Sequence, residues 1–209
     1  MIFPTSYVIG VDEVGRGCLY GSVIAAAVVL PLELKEQEWD EIKDSKKISE
    51  KKRNRLAEFI KSKALYYGIG ESTHEEIDKT NILKASIKAM HRAIDKCYNV
   101  VKEHNKEMFE SILVDGNYFI PYTNANNEDT IIPYECIIQG DNKHLTIAAA
   151  SILAKTYRDN MIIEECNANE TLKLYDIHKN KGYGTKKHIE TVHKLGPIDG
   201  HRLSFKPFV

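Results

Sequence analysis

The sequence is poor in cysteine partnerships: Cys18, Cys97, Cys136 and Cys166 lie far apart and form no CxxC pair. A disulfide framework is therefore excluded, and reduced thiols in a cytoplasmic protein are the expectation. Long hydrophobic runs are also missing. The most apolar stretch, from Val23 to Leu34, is too short to span a bilayer and carries Pro31 and Glu33 at its end, with Lys35 following. The start of the chain has neither the charged segment nor the cleavage site of a secretory signal. No membrane association is expected. No sign of charge dominates, since 29 basic residues face 30 acidic ones for a net −1. The total charge thus says nothing about nucleic acid, although basic residues bunch at 43–55 and 179–206 and would give a neutral chain a basic face. Repeats, low-complexity segments and interdomain linkers are absent. At 209 residues, 43% apolar and 28% charged, the chain suits one domain with an ample core.

What is present is concentrated at the start. Tyr7-Val-Ile-Gly-Val-Asp-Glu-Val-Gly-Arg-Gly-Cys-Leu-Tyr-Gly21 runs from an apolar strand into adjacent carboxylates, Asp12 and Glu13, and then into glycines spaced around Arg16. Buried carboxylates are costly unless a positive charge offsets them, and two neighbours at a strand end suggest a divalent cation. Glycines let a backbone approach a ligand, and an arginine between them suits a phosphate. Metal with phosphate points to phosphoryl-transfer or phosphodiester chemistry. The glycine pattern does not make a dinucleotide loop, because two carboxylates directly upstream would repel a pyrophosphate. No Gly-Lys-Ser/Thr follows, so a P-loop is excluded.

Patterning predicts strands over 7–11, 23–30, 65–69, 111–114 and 131–138, the first two antiparallel across a short glycine-rich connection. Ser49 is the expected N-cap of a helix burying Leu56, Phe59 and Ile60. A long helix from about Thr80 places Leu83, Ile87, Met90, Ile94, Cys97 and Val101 on one face. A buried helix spans 147–163, a polar loop 124–130, and a tail helix 186–195 stopped by Gly196-Pro197. The expected fold is an α/β mixed sheet flanked by helices, with Asp12, Asp115 and Asp141 each at a strand end. Four carboxylates, Asp12, Glu13, Asp115 and Asp141, would suit two hard cations such as Mg²⁺ or Mn²⁺ about 3.5–4 Å apart.

Gly10-Val-Asp-Glu-Val-Gly-Arg-Gly17 closely resembles the signature of type 2 ribonucleases H, the bacterial ribonuclease HII family. The resemblance runs nearly end to end, through Asp44-Ser-Lys-Lys-Ile-Ser49, Val114-Asp-Gly-Asn117, Gly140-Asp-Asn-Lys143, Ile147–Lys155 with Arg158-Asp159, Lys181-Gly-Tyr-Gly-Thr185 and His201-Arg-Leu-Ser-Phe205. It implies a ribonuclease H-like fold in a single domain over 1–209, with a catalytic core to about 165 and a mostly helical substrate-binding extension over 166–209. It implies a metal site at Asp12, Glu13, Asp115 and Asp141, Mn²⁺ or Mg²⁺ as cofactor, and a monomer. The implied activity is hydrolysis of the RNA strand of RNA–DNA hybrids and cleavage 5′ of ribonucleotides embedded in duplex DNA, leaving 5′-phosphate and 3′-hydroxyl ends. In that scheme Gly15, Arg16 and Gly17 read the ribose, whose 2′-hydroxyl tells RNA from DNA. Tyr183 stacks on the next sugar, and Lys46, Lys47, Arg202 and Ser204 hold phosphates, contacts that position rather than specify.

Cys18 and Ser22 replace prolines common in the family, which would loosen the loop, and His144 stands where a serine is frequent. The remaining basic residues of 43–55 are expected on a solvated face. His188 and His193 flank Glu190, but five helical residues turn the chain by roughly 140°, so surface histidines are expected rather than zinc ligands. Asp159 is read as a partner of Lys155, four residues away. Other functions fit less well. A non-catalytic hybrid-binding module would have lost an acid. Exonucleases of related fold space their first acids as Asp-x-Glu, and type 3 enzymes carry a further N-terminal domain where nine residues precede Gly10 here.

Overall fold

The computed structural model describes residues 1–102, 110–124 and 127–209. β1 (Val8–Val14) and β2 (Val23–Val29) form the expected antiparallel pair, with Asp12 opposite Ala26 and Glu13 opposite Ala25. Two 3₁₀ turns, Gln37–Glu41 and Ser45–Lys47, lead to α1 (Glu50–Lys63) and β3 (Tyr66–Ser72). Next come α2 (His74–Lys79), α3 (Ile82–Lys102) and β4 (Ser111–Asp115). A small hairpin of β5 (Thr123–Asn124) and β6 (Asn127–Ile131) precedes β7 (Tyr134–Ile137). The chain closes with α4 (Leu145–Ala168), α5 (Thr171–Leu174), α6 (Ile177–Asn180) and α7 (Lys186–Leu195). The main sheet has the order β3-β2-β1-β4-β7, antiparallel on one side of β1 and parallel on the other. This is the mixed sheet that the sequence predicts.

β2 explains the layering. Val23, Ala25, Ala27 and Val29 enter the core under α3, while Ile24, Ala26 and Val28 enter the core under α1 and α4. Both faces are covered, so an uninterrupted apolar strand is stable here, each buried Val or Ile contributing about 1.5–3 kcal/mol. Small residues set the spacing. A Cβ on Gly10 would stand 2.4 Å from the Thr146 backbone, so glycine is what lets α4 lie against β1. Ser49 caps α1 as expected, accepting from the Lys52 N–H. Among the described residues no helix is long and apolar enough to cross a membrane.

Several boundaries differ from expectation. β1 continues to Val14, so Asp12 and Glu13 lie inside the strand rather than beyond it. The ladder to Ala25 and Ala26 carries on until Gly15 turns the chain. The predicted strand over 131–138 is split at Pro133, which has no N–H for a ladder, and the predicted polar loop over 124–130 contributes the hairpin strands. Residues 125–126 of that loop lie outside the described residues. Leu83 is exposed, whereas Ile87, Met90, Ile94 and Cys97 are buried as the periodicity requires. The tail holds α5 and α6 besides the predicted helix. Both are too short for a periodic signal. The expected boundary near 165 falls in the last turns of α4, where Ile162 and Cys166 share a cluster with Tyr175, Ile177 and Val192.

Candidate active site

The carboxylates converge because β1 and β4 are parallel neighbours. Val11 pairs with Val114, which sets Asp12 beside Asp115 at the same end of the sheet. β7 lies on the other side of β4, and the turn after it brings Asp141 in. That turn is built on Gln139 in a left-handed conformation, φ 57°. The Gly140 N–H donates to Asp115 Oδ1 at 2.7 Å and ties the last two acids together. Asp12 and Asp141 are both buried, each 6% exposed. Asp115 and Asp141 line an open cleft of about 630 Å³ with Asp44, Lys46, Lys47, Gln139 and Asn142.

The electrostatics of this corner are unbalanced. Burial, then the charges of Glu13 and Asp115, pushes the Asp12 carboxyl well above the usual carboxylate range, against hydrogen bonds from Ser151 and the Glu13 N–H. Glu13 is also raised by burial, with Arg16 opposing at 3.1 Å and Asp115 reinforcing. Asp141 is raised by burial, then by Asp115 and Asp44, with Lys46 opposing. Desolvated like charges of this kind favour a bound cation. The donors are all oxygens, as a hard divalent ion prefers. They form an open array: among the described residues, no three Asp, Glu, His or Cys side chains are gathered as a ready metal cage.

Phosphate-side residues divide into two groups. Lys46 and Lys47 are exposed on the cleft wall, Lys47 donating to Asn142 and lying 3.7 Å from Asp44. Arg202 and Ser204 do not fit the expected role. Arg202 is fully buried and donates to the carbonyls of Gly21 at 2.8 Å and Arg16 at 2.9 Å, so it braces the glycine loop instead of reaching solvent. Ser204 is exposed, but its N–H and hydroxyl both donate to Asp78 of α2, which anchors the tail. Arg53 is likewise no solvated cation. It is buried, pairs with Asp159 at 3.0 Å and donates to the Ser45 carbonyl. Asp159 makes this pair as well as the expected one with Lys155 at 2.7 Å.

The glycine loop is clamped from beneath. Arg158, which the sequence shows only as part of a family motif, donates to the carbonyls of Ser22 at 3.0 Å, Tyr20 at 2.9 Å and Lys181 at 2.7 Å. Gly15 has φ +92°, and a Cβ there would sit 2.4 Å from Arg158 Nε, so any other residue would displace the clamp. At both departures, Cys18 and Ser22, the side chain has a partner. Cys18 Sγ contacts the Lys181 carbonyl at 3.7 Å, and Ser22 donates to Glu71 at 2.6 Å. Cys18 also bridges Tyr183, whose side chain is 38% exposed with Lys155 Nζ 5.8 Å from its ring centre. Ser151 was also missed. It bonds Asp12 and lies 2.9 Å from Ser45 Oγ, and its signal in the sequence is a serine inside the apolar run from Ala148 to Ala154.

His188 corrects the surface reading. It is fully buried, while His193 is exposed.

A family model described as Ribonuclease HII matches residues 9–208. A "Ribonuclease HII" from Christiangramia forsetii is 47% identical over 199 residues, covering 95% of this chain and 90% of that protein. Among solved structures, ribonuclease H2 from Pyrococcus horikoshii OT3 superposes with a TM-score of 0.72 at 20% identity, covering 97% of this chain and 95% of that one. Bst-RNase HIII, solved in complex with Mn²⁺, gives 0.76 at 19% identity, covering 98% of this chain and 68% of that one. These two likenesses concern the fold.

Proposed function

The chain belongs to the ribonuclease HII family, and from that premise we propose how its own residues perform the family's reaction. It is a metal-dependent endoribonuclease that hydrolyses the RNA strand of RNA–DNA hybrids. In our reading Asp12, Glu13, Asp115 and Asp141 hold the divalent ions, Mg²⁺ or Mn²⁺. When bound, such ions make a water nucleophilic and neutralise the departing 3′-oxygen. Asp115, fixed by the Gly140 N–H, and Asp12, fixed by Ser151 and the Glu13 N–H, set where that charge sits. Lys46 and Lys47 on the cleft wall orient the phosphate backbone.

Selectivity for the ribose falls to the backbone of Gly15, Arg16 and Gly17. Loop groups held by Arg158 and Arg202 are preorganised to bond a 2′-hydroxyl. A Cβ on Gly17 would meet nothing within 4 Å, so its absence serves the approach of a ligand rather than internal packing. Tyr183, bridged to Cys18 and partly exposed, supplies the stacking face for the following sugar. The observation that carries this reading is the juxtaposition of an oxygen-only, desolvated acid corner with a clamped glycine loop that is exposed at Arg16 and Gly17.

The test is a labelled DNA duplex containing one ribonucleotide, incubated with Mg²⁺, Mn²⁺ or chelator. Metal-dependent cleavage 5′ of the ribose is expected. Cleavage of a long hybrid alone would retain the acids' role and overturn the junction role of the loop and Tyr183.

A further inference from the structure

Two buried histidines lie behind Tyr183, and neither is near the acids. His188 sits in the first turn of α7, whose N-cap is Thr185, and His201 lies in the tail that crosses the glycine loop. His188 Nδ1 lies 2.9 Å from the Tyr183 carbonyl, and His188 Nε2 lies 3.0 Å from His201 Nε2. His201 Nδ1 is 3.0 Å from the Ile198 backbone nitrogen and 3.1 Å from the Ile198 carbonyl oxygen. The Tyr183 carbonyl fixes the first proton of the chain. A carbonyl can only accept, so His188 carries its proton on Nδ1 and leaves Nε2 as an acceptor. His201 must then donate from Nε2, and as a neutral ring it accepts at Nδ1 from the Ile198 N–H rather than donating to the Ile198 carbonyl. Every polar ring atom is satisfied with both rings neutral. Burial agrees, lowering both histidines, His201 to about 4.

Aromatic packing holds the pair in place. Tyr20, Tyr175 and Phe208 meet the His201 ring edge to face, with centroids 5.6, 5.4 and 5.3 Å away. Tyr20 belongs to the glycine loop, and its N–H and that of Leu19 both bond the Gly182 carbonyl. The relay therefore grips the Tyr183 segment from the side opposite the loop.

We propose that His188 is a positioning residue for the junction preference of this enzyme: its Nδ1–H, oriented by His201, sets the backbone of Tyr183 and hence the angle at which that ring meets the sugar. The Thr185 N–H also reaches this carbonyl, at 2.8 Å, but it belongs to the same turn and moves with it. Among the described residues, His188 is the one that hydrogen-bonds this turn to His201 of the tail. The proposal rests on the stacking role of Tyr183 given above.

Two near-isosteric variants separate positioning from stability. His188→Asn keeps a donor where Nδ1 stands and loses the link to His201. His188→Gln keeps a group where Nε2 stands and loses the donor to Tyr183. The expected result is a five- to tenfold fall in the ratio of junction to long-hybrid kcat/KM for His188→Gln, carried by kcat. His188→Asn, at a similar melting temperature, should keep at least half of the ratio. Equal loss on both substrates in both variants would overturn the proposal and leave a packing role. Ring-nitrogen chemical shifts showing a proton on His188 Nε2 would overturn it independently of activity. Tyr183→Ala is the control for the premise. If it leaves the ratio unchanged, the stacking reading fails; if it lowers the ratio and His188→Gln does not, only the present inference fails.

Discussion

The acid corner inside β1 and the clamp under the glycine loop that follows it both bury charges, and they treat them in opposite ways. Asp12 and Asp141 are buried among other acids, and their carboxyls are raised first by that burial and then by their neighbours' charges. Arg158 and Arg202 are desolvated more completely, yet the first meets three carbonyl oxygens and the second two. Burial lowers Arg202 to about 10, so it stays charged at neutral pH. A buried charge that meets oxygen partners is structural, as at Arg158, and at Arg202 even though its Nη2 is left without one. One left among its own kind marks where a ligand of opposite charge belongs.

The largest effect should come from breaking the acid corner. Asp12→Asn removes an oxygen of the proposed metal site and is expected to cut turnover roughly a thousandfold, about 4 kcal/mol of barrier, with duplex binding retained. Gel-shift and single-turnover assays check both halves, and unchanged turnover would remove Asp12 from the metal site. Breaking the clamp should act on stability instead. Arg158→Met strands the carbonyls of Tyr20, Ser22 and Lys181, a loss of roughly 3 kcal/mol or more by denaturant titration. A variant as stable as the parent would make the clamp dispensable.

The third and smallest effect sharpens the contrast through pH, in chelator. Asp12, Glu13 and Asp141 have raised values, so their contribution to stability is full below the ordinary 3.8–4.5 and is lost as pH rises through the folded values. His188 and His201 are lowered, so theirs is full above 6.5 and is lost as pH falls, for His201 towards about 4. Asp12→Asn should therefore raise the melting temperature by about 2–4 °C at pH 8 and hardly at all at pH 4. The same gain at both pH values would refute the electrostatic account.

The sequence carried these regions unequally. The acids, the glycines and the paired strands were legible because residue type and short-range order express them: Asp12-Glu13 before Gly15-Arg-Gly17 is a local statement. The clamp was not. Arg158 meets Ser22 across 136 residues, and Arg202 meets Arg16 across 186. A basic residue in a tail has the same appearance whether it will face phosphate or be buried under carbonyls, so Arg202 was misread. His188 was misread for the same reason, since its partner His201 stands on a different element. Strand ends shifted where pairing rather than propensity decides, as at Val14 and Pro133.

The clamp also imposes an order on synthesis. All four acids are made by residue 141, whereas Arg158, Lys181 and Arg202 emerge later from the ribosome. During that interval the nascent chain holds the carboxylates without the arginines that brace the glycine loop. On the role proposed for that loop, selectivity thus arrives with the tail, after the acids it directs.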